Sequence, residues 1–213
     1  ERRLRDELLA PWIAKAPFRA FRHPLDLWGN TEEKRVAVNA HLEALAYRSA
    51  DVSSWYYEWE WNRAWRQLLA TGRTDEAEGL KEAFLDYAVA QVRHDAATSE
   101  TVFGREVVAI GLAHNVAFFG EVAEAFFKRL VAEGVEFVPL EAAAADPAYA
   151  RSGSFVSDQF LVYPVKVGRE DGLTLDAVPP SHQALIVRVV ELAAPLRPAR
   201  RGLLVDNRRP RPA

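Results

Sequence analysis

Apolar residues recur at helical spacing over most of the chain, and short dense apolar runs lie between those stretches. Leu4, Leu8, Leu9, Trp12 and Ile13 repeat every three or four positions, with Pro11 breaking or kinking that helix near its end. Residues 17–22 read as a short strand. Asn30 or Thr31 then caps a helix, with Glu33 three residues after Asn30 and an apolar stripe of Val38, Leu42 and Leu45. Residues 47–51 form a second short strand. The spacing of Trp61, Ala64, Trp65, Leu68 and Leu69 predicts a helix stopped by Gly72, and residues 74–103 form a long helical stretch closed by Gly104. Residues 106–113 have the character of a buried strand, 118–133 are a helix ending at Gly134, and 135–138 are a last short strand closed by Pro139. Residues 146–176 read as irregular, and 182–194 as one more amphipathic helix.

Strands that alternate with helices imply βαβ crossovers and a parallel sheet, so the expected class is α/β, in a barrel or a doubly wound fold. Four strands leave open sheet edges, and a barrel reading therefore requires further strands upstream of Glu1. No glycine-rich phosphate-binding turn follows any strand, which removes the nucleotide-binding versions of this architecture. The make-up of the 213 residues, 49% hydrophobic and 27% charged, is that of a globular domain. A formal charge of -3 argues against a nucleic-acid partner. No apolar run approaches the roughly 20 residues of a membrane span, the richest being residues 107–113. The absence of cysteine excludes disulfides and thiolate metal sites. Residues 195–213 hold six arginines and four prolines against one acid, and read as a disordered tail behind a domain of residues 1–194.

Functional residues of parallel α/β folds collect at the carboxyl ends of strands, where loops vary on a rigid support. Those ends are Phe21-Arg22-His23-Pro24, Asp51-Val52-Ser53-Ser54-Trp55 and Leu112-Ala113-His114. An arginine, a carboxylate and a histidine thus fall on one rim: Arg22, Asp51 and His114. Beside them, Trp55, Trp59, Trp61 and Trp65 lie within eleven residues; Trp61 and Trp65, four apart, suit a helix core, while the loop members suit stacking on sugar rings. Glu58 and Glu60 suggest a two-carboxylate glycosidase, but alternate residues give no evidence of the separation that chemistry needs. The five histidines form no i, i+4 pair and no H-E-x-x-H, so no metal ligands are assigned in this chain.

At these positions the sequence resembles the polysaccharide deacetylase family of carbohydrate esterases. Arg22-His23-Pro24-Leu25 is similar to its R-x-P-[YF] motif, with Gly29 and Thr31-Glu32-Glu33-Lys34-Arg35 continuing the likeness; residues 51–55 resemble D-x-x-D-W, and Leu112-Ala113-His114 resembles L-x-H. The similarity spans roughly residues 5 to 165. It implies a distorted (β/α) barrel, of which this chain is the C-terminal part, and a hydrolase that removes acetyl groups from N- or O-acetylated carbohydrate with a divalent metal, commonly zinc. In that reading Arg22 orients the catalytic base and the Leu25 N–H, beside Pro24, stabilises the oxyanion. His114 protonates the leaving amine, while Leu112 and Trp55 wall the acetyl pocket. The family carries a carboxylate immediately before the tryptophan, as partner of the histidine; Ser54 stands there, leaving Asp51 as the substitute. The family's T-F-D-D and H-[ST]-x-x-H motifs, which supply base and metal ligands, have no counterpart. Together with the absence of methionine, this predicts an N-terminally incomplete catalytic domain that binds no metal and is inactive alone. The resemblance implies a bacterial protein, periplasmic, secreted or cytoplasmic. A glycosidase on the same scaffold and a glycan-binding module without chemistry are the alternatives.

Overall fold

The computed structural model describes residues 19–151, 154–158 and 160–194. The expected helix over residues 4–13 and the tail from 195 lie outside the described residues, as does the start of the first expected strand. Among the described residues the fold is a helix-rich α/β arrangement with short parallel strands and no closed barrel. Strand β1 (Ala20–Phe21) pairs in parallel with β2 (Arg48–Ser49), and β3 (Ser54–Trp55) pairs in parallel with β4 (Gly111–Leu112). The two pairs are separate two-stranded sheets, joined in sequence by residues 50–53 between β2 and β3. Helix α1 (Glu32–Ala44) connects β1 to β2, and α2 (Glu58–Ala70) with α3 (Thr74–Phe103) connects β3 to β4. These are the long crossovers that parallel pairing requires.

Helix boundaries follow local chemistry. The Thr31 hydroxyl accepts from the Lys34 N–H at the start of α1, with Glu32 and Glu33 at the positive end of its dipole. At the end of α3, Gly104 takes a left-handed φ of 69° and returns its N–H to the Glu100 carbonyl. Helix α4 (Ala117–Ala132) is capped from another element, since the Asn62 side chain on α2 accepts from the Phe118 N–H. The main core lies between α2, α3, α4 and the last helix, α7 (Gln183–Ala193). At its centre the Trp61 ring, fully buried, stacks between Tyr87 and Phe118 at 5.7 and 6.4 Å. A second core under the strands joins Val52 and Trp55 to Leu161, Val162 and Val165.

Three expectations change. Residues 135–138 are irregular rather than a strand: no neighbouring strand takes their backbone groups, and Phe137 and Val138 are about half exposed. The run 106–113 pairs as strand only at Gly111–Leu112, because the Ser53 hydroxyl and the Asp146 carboxylate accept from the Ile110 and Val108 N–H groups instead. The stretch 146–176, expected to be irregular, contains a turn at Pro147–Ala150 and a buried helix α6 (Tyr163–Glu170), and the short α5 (Leu140–Ala144) precedes it.

Candidate functional site

Beyond β1 the chain passes Arg22 and His23 into the tight turn Pro24–Asp26. Leu25 and Asp26 have φ values of 55° and 51°, two consecutive non-glycine residues in the left-handed region. A buried network holds them there. The Lys166 ammonium on α6 donates to the Asp26 carboxylate at 2.9 Å and to the Asp26 backbone carbonyl, and lies 4.6 Å from the centre of the Trp28 ring. Trp28 in turn donates its indole N–H to Asp51 at 2.6 Å. Burial pushes the Asp26 carboxyl up to about 6 despite Lys166, and burial lowers His23. Asp51 is therefore a buried acceptor that fixes Trp28. Arg22 reaches the Ala50 carbonyl at 3.5 Å, while Pro24 and Leu25 stay exposed on the turn.

The β3 end is built differently. Trp55 is buried opposite Leu112, its register partner, and packs edge-on against Tyr57 and Trp59. Tyr57 then takes a left-handed φ of 54°, which turns the chain sharply into α2 and places Glu58, its first residue, fully inside. The Glu58 Oε1 accepts from the His114 backbone N–H and bonds the His114 ring through Nδ1. Trp59 lies edge-on to the same ring at 5.1 Å. With Nδ1 held by a buried carboxylate, the free nitrogen is Nε2, on a side chain that is 45% exposed. A carboxylate that fixes one ring nitrogen orients the other to give or take a proton, the arrangement of a positioned general acid or base.

The carboxylate at His114 is thus Glu58, and neither Asp51 nor Ser54 fills that place. Glu58 stands immediately before Trp59, so the acid–tryptophan pair that the resemblance put at Ser54–Trp55 sits four residues further on. The signal was present in the sequence as a carboxylate–tryptophan dipeptide ahead of Trp61-Asn62. Ser54 is buried and its hydroxyl meets the Tyr56 hydroxyl at 3.5 Å. Trp55 is only 2% exposed, so the tryptophan at the surface beside His114 is Trp59. Arg22 and Leu112 border one cavity, while Asp51 joins the turn network and not His114. Glu60 faces away from Glu58 and pairs with Arg63 at 3.0 Å.

No family model, no curated protein and no solved structure matches the chain. A metal finds no fit: among the described residues no three His, Asp or Glu side chains converge, and Asp26 and Asp51 are already engaged by Lys166 and Trp28. Among the described residues no helix is long and apolar enough to cross a membrane.

Proposed function

We propose that this chain is a polysaccharide deacetylase-like hydrolase on a distorted (β/α) barrel, acting on N- or O-acetylated carbohydrate. The observation that carries the reading is the His114–Glu58 pair at the β3–β4 ends, with Trp59 against the imidazole. Glu58 holds the Nδ1 side, and Nε2 delivers a proton to the departing amine; a positioned acid contributes ~10²- to 10⁴-fold. Trp59 and Leu112 shelter the acetyl methyl, with Trp55 packed behind them. Arg22 orients the base, and the Leu25 N–H faces the developing oxyanion; the bonds within its turn come instead from the Asp26 and Leu27 N–H groups. The family it resembles uses a divalent metal, commonly zinc, for which the described residues offer no ligand set, and the roles assigned to these residues are proton delivery and the acyl pocket. A glycosidase is disfavoured because Glu58 is bound to His114 and Glu60 to Arg63, leaving no facing carboxylates.

The experiment is a ligand-observed NMR titration with acetylated chito-oligosaccharides and their deacetylated forms. Acetylated oligomers are expected to bind with saturation transfer strongest at the acetyl methyl, and Trp59→Ala and Glu58→Ala each to abolish that preference. Parallel acetate assays are expected to show no release by this chain, with or without zinc. Indifference to the acetyl group, or appearance of reducing ends, overturns the proposal.

A further inference from the structure

On the other side of the β3–β4 pair lies a cavity of about 1140 Å³ between α3, the run 106–113 and the segment after α4. His114, Glu58 and Trp59 do not line it. Its walls are largely apolar, with Val89 and Val92 from α3, Ile110 from the strand run, and Phe126 and Leu130 from α4. At the wall formed by α3 sits Asp95, 3% exposed.

The donors around Asp95 leave one of its carboxyl oxygens without a partner. The Gln91 amide donates to Asp95 Oδ1 at 2.9 Å and to the Ala177 carbonyl at 3.1 Å, and its own oxygen accepts from Tyr87. The Ser99 hydroxyl donates to the Asp95 backbone carbonyl, and the Ser54 hydroxyl, 3.5 Å from the Tyr56 hydroxyl, lies close enough to lower the Asp95 carboxyl without giving Oδ2 a bond. Asp95 Oδ2 has no hydrogen-bond partner among the described residues. The arginines at the rim do not meet this need, since Arg93 is paired with Glu133 and Arg105 with Asp146. A buried acceptor without a donor, within apolar walls, calls for a ligand that brings a donor on an apolar body.

We propose that this cavity binds a small organic ammonium ion, its charged nitrogen on Asp95 Oδ2 and its alkyl or aryl body among Val89, Val92 and Phe126. The charge sign separates this ligand class from the others. A carboxylate would meet Asp95 unfavourably, and a neutral alcohol would supply a donor without the ion pair. Burial pushes the empty Asp95 up to about 8, so below that pH the ammonium displaces a proton and binding strengthens as pH rises. The hydroxyls of Tyr56, Tyr57 and Tyr87 feel the Asp95 charge and are themselves raised by burial, out of this range. Arg22, Arg93, Arg105, Glu106, Glu133, Glu136 and Asp146 are the other charged groups bordering the same cavity.

The test is calorimetric titration of the purified protein with hexylamine, hexanol and hexanoate at pH 6 and pH 8. Hexylamine is expected to saturate one site and to bind about tenfold or more tightly at pH 8 than at pH 6. Asp95→Asn removes the charge and Val92→Phe fills the space; each is expected to weaken hexylamine about tenfold or more, with circular dichroism confirming a folded protein. Hexanol or hexanoate binding as tightly as hexylamine, affinity independent of pH, or absence of saturation overturns the proposal. Undiminished binding by both variants overturns it equally.

Discussion

Asp95 and Glu58 are both buried carboxylates beside the β3–β4 pair, yet they meet different partners. Each keeps one oxygen without a hydrogen-bond partner; through the other, Glu58 accepts twice from His114 and Asp95 accepts from the Gln91 amide. Burial holds Asp95 protonated up to about 8, against an ordinary value of 3.8, although hydrogen bonds from its neighbours lower it. A carboxyl whose folded pKa is raised favours the fold fully below its unfolded pKa, and that advantage is lost as pH rises through the folded pKa. Wild-type stability is expected to fall between about pH 4 and pH 8 through this residue. Asp95→Asn is then expected to be ~1–3 kcal/mol more stable than wild type at pH 8, with the difference vanishing toward pH 4. Urea unfolding of both proteins at the two pH values checks this; a difference independent of pH removes Asp95 from the titration. His114 was legible as a strand-end histidine, while for its partner the sequence offered several carboxylates and, in Glu58-Trp59, only a dipeptide as a signal. Asp51, Ser54 and Glu58 lie within eight residues, and what selects Glu58 is the left-handed turn at Tyr57 that swings α2 inward. A positive φ at a tyrosine has no sequence signature comparable to glycine.

Helices were legible where they are amphipathic or capped. The stops at Gly72, Gly104 and Gly134 all coincide with left-handed glycines, and of the two cap residues the sequence offered, Asn30 and Thr31, it is Thr31 that caps α1, although the three-residue spacing to Glu33 pointed to Asn30. Helix α6 escaped because it is only eight residues long, with Pro164 in its first turn and Gly168 in its last, too short for a helical period to stand out and carrying two residues that read as breakers. Strands fared worse, since an extended apolar run becomes a strand only where a partner accepts its hydrogen bonds, as residues 135–138 show. The same substitution should have opposite signs on two helices. Gly168 of α6 packs so closely on its neighbours that a Cβ would stand 2.3 Å from Leu175 and 2.9 Å from Val102. Gly79 of α3 is exposed, with nothing within 4 Å of a Cβ. Gly168→Ala is expected to cost ~1–3 kcal/mol by overpacking, and Gly79→Ala to stabilise by ~0.4–1 kcal/mol through helix propensity and a less flexible unfolded chain. Denaturant midpoints read both; a neutral Gly168→Ala would mean that Leu175 yields without loss.

At the scale of the whole molecule, the turn after β1 is held by a residue 140 positions away. Lys166 and Asp26 are both almost completely buried, and their pairing ties α6 to the rim that carries Arg22 and Leu25. Such a pair adds little net stability, but removing one partner leaves an uncompensated charge inside. Lys166→Met keeps the length of the stem and deletes the ammonium, so its expected cost at pH 7 is ~3–5 kcal/mol. The sign of the pH dependence identifies the cause. Asp26 already titrates at about 6 with Lys166 beside it, and both its charge and its hydrogen bond lower that value. Without them the folded pKa moves further up, so the variant keeps Asp26 neutral at pH 5 and loses stability over a wider window as pH rises past 6. The deficit of Lys166→Met relative to wild type should therefore be smaller at pH 5 than at pH 7. Adding Asp26→Asn should recover much of it at pH 7, because the buried charge is gone. Unfolding curves of the two single variants, the double variant and wild type complete the cycle. Equal deficits at both pH values with no recovery in the double variant would assign the loss to packing of the lysine stem against Trp28, and the ionic hold on the turn would be refuted.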